Sequence, residues 1–168
     1  MLADADLGGS GGANLNISGA TASDPYGLAI DPAAGLVFWA NRVTNTISFA
    51  KLDGSGGGGE LNVTGAPISK PHGVSIDPVG GKIYWTNLES TIGYANLDGS
   101  GGGGQLSTAG ANDRGAIGMA IDSAEGRMYW GNLGSSTISY VNIDGSGGGA
   151  ELNISGSRPF QSLSLIHI

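Results

Sequence analysis

Hydrophobic residues recur along the chain in short runs with a period of two. Leu28 and Ile30 alternate with Gly27 and Ala29, and Asp31-Pro32 then closes the run. Alternation over so few residues predicts a strand, and an aspartate-proline pair predicts the turn that ends it. Leu36-Val37-Phe38-Trp39-Ala40-Asn41 follows, apolar on both faces, as a strand covered on both sides would be. In the third run Ile47 and Phe49 share one face and Ser48 and Ala50 the other, so one side is bulky and its reverse shallow. Asp53-Gly54-Ser55 with the glycines after it predicts a hairpin loop, and Glu60-Leu61-Asn62-Val63-Thr64 a returning fourth strand.

The whole pattern is written three times. Trp39, Trp85 and Trp130 are 46 and 45 residues apart, and the pairs Asp53-Gly54, Asp98-Gly99 and Asp144-Gly145 are 45 and 46 apart. A unit of that length holding four short strands predicts a propeller blade. The third strand repeats its asymmetry, with Ile92 and Tyr94 against Gly93 and Ala95, then Ile138 and Tyr140 against Ser139 and Val141. Blades stacked face to face need this, because the large side of one must enter the small side of the next. The expected fold is all-β, a partial β-propeller of three four-stranded antiparallel blades at about 27–65, 73–107 and 118–155. An orphan fourth strand of a preceding blade is expected at Ala13–Ser18.

The strings [FY]-W-x-N and A-N-L-D-G-S, with P-x-G-[LV]-x-[IL]-D upstream, resemble the YWTD repeats of the low-density-lipoprotein-receptor type propeller. The bacterial IDP-x-x-G-x-[IV]-YWAN flavour is the nearest in pattern. The resemblance spans residues of about 7 to 156 and implies a ring of six blades, of which this sequence holds three. The repeat ends Y-W-T in aspartate; here Asn41, Asn87 and Asn132 stand in its place. Asparagine keeps an acceptor, gains a donor and loses the charge, so ionic contacts of the family aspartate do not carry over.

Outside the repeats, residues 1–12 read as a poorly defined start or a damaged repeat. Residues 157–168 read as a non-repeat tail, whose closing LSLIHI resembles translated sequencing-adapter DNA. Two uncovered blade faces would result from half a ring, to be met by further blades of a parent chain or by self-association.

Charge narrows the partners. Seven basic against 14 acidic residues leave a net charge of −7, and the basic ones are scattered. Nucleic acid and anionic membrane both call for clustered cations, so neither is an expected partner. No apolar run approaches the roughly 18 residues of a membrane span. With no cysteine, the chain has neither a disulfide framework nor a thiolate metal site.

Candidate chemistry is sparse. Asp31, Asp77 and Asp122 end the innermost strands, where carboxylates around a channel mouth could hold a divalent cation, with His72 a further weak metal candidate. The plainer account is an aspartate that stops a strand before a turn. No cofactor is expected. The DGSGGGG loops lack the Lys-Ser/Thr of a phosphate loop and the alternating carboxylates of a calcium loop. Asn16-Ile17-Ser18, Asn62-Val63-Thr64 and Asn153-Ile154-Ser155 fit the N-glycosylation sequon, though repeat copying accounts for their phase equally well. Tyr26, Arg42, His72 and Glu89 break the symmetry of the repeat and are the candidate binding surface. His72, for instance, stands where Tyr26 and Ile117 stand in the other blades.

Three functions compete. The first is a non-catalytic binding or scaffold propeller of a secreted or cell-surface protein, meeting protein or glycan through loops at one channel end. The second is a metal-dependent lactonase- or lyase-like enzyme. The third is a structural segment of a longer repeat array. Near-identical loops without a distinct catalytic set favour the first, and the near-identity of the blades favours the third, because evolved sites break symmetry.

Overall fold

A computed structural model describes residues 3–5, 12–146 and 148–154. Three four-stranded antiparallel sheets account for most of it, each a meander in strict sequence order. The first consists of β3 (Pro25–Asp31), β4 (Leu36–Asn41), β5 (Thr46–Lys51) and β6 (Gly59–Glu60). The second is β7 (Pro71–Asp77), β8 (Lys82–Asn87), β9 (Thr91–Asn96) and β10 (Gly104–Leu106). The third is β11 (Ala116–Asp122), β12 (Arg127–Asn132), β13 (Thr137–Asn142) and β14 (Ala150–Glu151). Among the described residues there is no helix.

The strand of the preceding blade is present at Gly12–Asn14 (β2), shorter than expected, and Ala3–Ala5 (β1) pairs with it antiparallel. β1 lies within residues 1–12, which the sequence presents as a poorly defined start or a damaged repeat. The tail 157–168 lies outside the described residues.

The fourth strands are also shorter than the sequence suggested. After Glu60 the ladder gains one more bond, Leu61 N–H to the Ile47 carbonyl at 2.8 Å. The Asn62 side chain then accepts from the Thr64 amide at 3.1 Å. Asn16 does the same for Ser18, at 3.1 Å. A side-chain oxygen that takes the amide two residues on competes with the ladder and turns the chain. Asn16 and Asn62, both sequon asparagines, thus have a structural task.

The faces divide as the alternation requires. Phe38, Ile47 and Ala29 of the first blade pack against Val74, Ile83 and Trp85 of the second. Tyr84, Ile92 and Leu106 of the second pack against Met128, Trp130 and Val141 of the third. Leu15, Ile17 and Ala20 lie on Val37, Trp39 and Ala50, on the opposite face of the first blade.

The innermost strands approach one another most closely. A Cβ on Gly27 would fall 2.2 Å from the His72 carbonyl oxygen, and one on Gly73 would fall 2.1 Å from that of Ile117. Only glycine lets backbones meet at that separation.

Candidate functional site

The pairing register sorts the loops onto two ends. Pro25 faces Asn41 and Asn41 faces Thr46, so the blade-to-blade link and the second-to-third-strand turn share one end. Asp31, Leu36 and Lys51 align at the other. Tyr26, Arg42, His72 and Glu89 all belong to the first end, hereafter the rim. Asp31, Asp77 and Asp122 belong to the second.

The rim is built on a clip repeated in every blade. The indole N–H groups of Trp39, Trp85 and Trp130 donate to the carbonyls of Thr21, Pro67 and Asn112, at 2.8, 3.0 and 3.0 Å. The neighbouring buried asparagine completes the clip. Asn41 accepts from the Ser23 amide at 2.9 Å and donates to Thr46 and Ser48 at 3.0 and 2.8 Å. Asn87 accepts from Ser69 at 2.9 Å and donates to the Pro67 carbonyl at 3.1 Å and Thr91 at 2.9 Å. These tryptophans and asparagines are core and scaffold. The link into each blade is bolted to its second strand.

Upon that scaffold each first strand carries a bulge. Pairing jumps from Pro25 to Leu28, from Pro71 to Val74 and from Ala116 to Met119. One extra residue on one strand bends it and re-aims a side chain. His72, a candidate binding-surface residue from the sequence, occupies the second bulge and is only 9% exposed. Its ring meets that of Tyr26 edge-on at 4.8 Å. The Arg42 guanidinium lies over Tyr26, 5.4 Å from the ring centre, and Nη1 stands 3.6 Å from the Asp24 carboxylate. Cation, phenol and imidazole therefore form one row across the junction of the first two blades. The arginine pair is half-exposed, and screening leaves it little weight in stability.

His72 Nδ1 is buried and has no hydrogen-bond partner. Burial lowers the imidazole pKa, and the Arg42 charge lowers it further, while the Lys70 backbone and Asp24 act the other way. A neutral imidazole carries one acceptor nitrogen and one N–H donor, so an unpartnered buried ring nitrogen is an unsatisfied polar group at the rim.

Rim backbone is held in unusual conformations. Asp24, Asn45, Lys70, Ser90 and Ser136 have φ of 53, 55, 47, 62 and 57°. The left-handed region costs a side-chain-bearing residue about 1 kcal/mol or more. Gly115, one residue before β11, shows that glycine serves at the position of Asp24 and Lys70. Asn45 also accepts from the Lys70 amide at 2.6 Å, joining first and second blades. A shallow cavity of about 460 Å³ opens at the next junction, lined by Ser90, Asn112, Arg114, Gly115, Gly134 and Ser135. Asp24, Asn45, Lys70 and Arg114 were not legible as site residues, since nothing in a turn's composition tells which junction it joins.

At the far end Asp31 and Asp122 act as strand stops. Asp31 accepts from the Ala33 and Ala34 amides at 3.0 Å each, and Asp122 from Ala124 and Glu125 at 3.0 and 3.1 Å. Asp77 accepts from the Ser123 hydroxyl of the next blade at 3.0 Å. His72 and Asp77 are five positions apart on β7, about 17 Å along an extended strand. The structure does not bring the proposed metal candidates together, and among the described residues no three acidic or histidine side chains gather. Glu89 is exposed in the turn before β9.

Known structures share this arrangement. Nidogen in a nidogen/laminin complex aligns with a TM-score of 0.65 at 27% identity, covering 76% of this chain and 48% of that one. The chain is part of a β-propeller. Virginiamycin B lyase from Staphylococcus aureus aligns at 0.59 and 22% identity, over 80% of this chain and 43% of that one. Hydrazine synthase from Kuenenia stuttgartiensis aligns at 0.60 and 13% identity, over 85% and 40%. The propeller chain spans less than half the length of these structures. No protein-family model and no curated protein matches it.

Proposed function

We propose that this segment is a non-catalytic binding propeller of the YWTD type, from a secreted or cell-surface protein, which grips a protein or glycan through its rim. The observation that carries the reading is the rim backbone. Five non-glycine residues sit in the left-handed region at one end, two of them, Asp24 and Lys70, where glycine also fits. Strain of this kind fixes loops in advance of binding and so reduces what a ligand must order. Tyr26 is 53% exposed with Arg42 stacked on it, a flat amphipathic surface of the sort that anchors protein and sugar contacts. The likeness to nidogen, solved with laminin, supports a protein ligand.

A displayed-peptide library and a glycan array, each screened with the chain, test this. A selected ligand should lose at least about tenfold in affinity on Tyr26→Ala or Arg42→Ala and keep it on Lys82→Ala at the far end. Ligands that ignore the rim substitutions and respond to the far-end one would overturn the reading. The lyase-like alternative has one observation in its favour, the unpartnered nitrogen of His72. Metal titration separates the two, because micromolar binding abolished by His72→Ala belongs to the enzyme. A purely structural segment of a longer array predicts no selected ligand at all.

A further inference from the structure

The rim is closed at one blade junction and open at the next. At the first, Asn45 ends the turn between the second and third strands of its blade and accepts from the Lys70 amide of the following blade at 2.6 Å. The equivalent positions at the second junction are Ser90 and Gly115. Serine is shorter than asparagine, and its turn is shorter too, with residues 88–90 between Asn87 and Thr91 where the first blade has 42–45 between Asn41 and Thr46. Ser90 and Gly115 instead line the cavity of about 460 Å³ that opens there. The other lining residues, Asn112, Arg114, Gly134 and Ser135, belong to the third blade and the link into it. The cavity thus lies within a junction that the chain itself completes on both sides.

Its chemistry is that of an anion site with a single cation. Arg114 stands where Ser23 and Ser69 stand in the other links, and no other lining residue is charged. Among the described residues the only ion pair is that of Arg42 with Asp24, and the Arg114 guanidinium donates no hydrogen bond. Its neighbour Asp113 is engaged by the Thr108 hydroxyl at 2.9 Å. Further donors surround the arginine. The Asn112 amide holds the Ser135 hydroxyl at 2.7 Å. The turn after β12 commits the Leu133 and Ser136 amides to the Gly115 and Asn132 carbonyls and leaves those of Gly134 and Ser135 unbonded. A guanidinium fork with amide and hydroxyl donors beside it recognises a carboxylate. It does not suit a polyanion, which calls for clustered cations. No aromatic side chain lines the cavity, so a sugar ring has no face to stack on.

We propose that the cleft between the second and third blades receives one acidic side chain of a protein ligand, its carboxylate paired with Arg114. The inference rests on the rim-binding reading above and adds to it the chemistry of what is bound.

NMR titration of the isotope-labelled chain with acetyl-Ala-Glu-Ala-amide tests this. The Gly115, Gly134 and Ser135 amides should shift saturably, and the uncharged acetyl-Ala-Gln-Ala-amide should bind at least about tenfold more weakly. Arg114 is exposed, so Arg114→Ala should keep the spectrum of the fold while losing at least about tenfold in affinity for the glutamate peptide. Ser90→Asn combined with Gly115→Lys rebuilds the first junction's pair at the second, leaves Arg114 in place and should also abolish binding. Lys70 takes a φ of 47° at the position of Gly115, and a Cβ on Gly115 meets nothing nearer than 3.5 Å, so the backbone accepts the exchange. A glutamate peptide that moves none of the three amides, that binds Arg114→Ala as tightly as wild type, or that is matched by the glutamine peptide overturns the inference. So does glucuronic acid binding more tightly than the glutamate peptide, which would make the ligand a glycan. The rim-binding reading fails separately. A selected ligand that responds to Tyr26→Ala, with the glutamate peptide ignored, removes the cleft and leaves that reading standing; saturable shifts lost on Arg114→Ala, with no ligand ever selected, do the reverse.

Discussion

Replacing Thr86 with valine removes one hydroxyl and almost no volume. That hydroxyl fills the place left by the bulge in β7. Gly73, displaced from the ladder, donates its amide to Thr86 Oγ1 at 2.9 Å, and Thr86 Oγ1 donates to the Ile117 carbonyl at 2.9 Å. The side chain is fully buried, so no water can replace it without rearrangement. Valine would leave one amide and one carbonyl unpaired, at about 1–3 kcal/mol each. The sum, about 2–6 kcal/mol, is a large share of the 5–15 kcal/mol typical of a domain. Urea denaturation followed by tryptophan fluorescence measures the total, and hydrogen exchange at the Gly73 amide reports the junction itself. Thr86→Ser, which keeps the hydroxyl, should recover most of the loss. If Thr86→Val unfolds within about 0.5 kcal/mol of wild type with Gly73 exchange unchanged, the bridge contributes nothing and the reasoning fails.

Three further outcomes are expected. Gly93→Ser should destabilise by about 1–3 kcal/mol, although serine stands at the matching positions 48 and 139, because a Cβ on Gly93 would lie 2.5 Å from Trp85 Cε2 and 2.6 Å from the Pro67 carbonyl; a stabilised variant in thermal denaturation would contradict this. Asn87→Asp would aim a carboxylate at the Pro67 carbonyl in a fully buried place. Its penalty should be absent below the unfolded aspartate pKa of about 3.9 and grow as pH rises above it, so a pH-independent difference in urea midpoint would argue against it. His72 has its pKa lowered by burial, so its folded form disfavours the proton. Its contribution should be intact above the ordinary histidine range and be lost as pH falls through the lowered folded pKa; a His72→Phe chain showing the same acid-side decline as wild type would remove histidine from the explanation.

The sequence carried the blades because the physics that places them is periodic. Ile47 and Phe49 fall on one side and Ala50 on the other whatever the rest of the chain does, and the packing of the blades follows. It carried less of the fourth strands, where Asn62 belongs both to a strand-like alternation and to an Asx turn, and the turn prevails. His72 illustrates what local pattern cannot hold. Its burial depends on a bulge in its own strand and on Tyr26, 46 residues earlier, and neither is written in its neighbours. Tyr26, Arg42 and His72 were legible as breaks in the repeat, and the structure places those three in a single row.

The tryptophan clip has a direction. Every indole N–H reaches a carbonyl 18 residues earlier, from Trp39 to Thr21, from Trp85 to Pro67 and from Trp130 to Asn112. On a ribosome the acceptor has always been made before its donor. Each blade can fasten the link behind it once its second strand emerges, without waiting for anything still to be translated. Synthesis from the N-terminus therefore lets blades dock in succession onto a face already formed. A circular permutant cut between Thr21 and Trp39 would put that donor first, leaving the first blade unfastened until the last residues arrive.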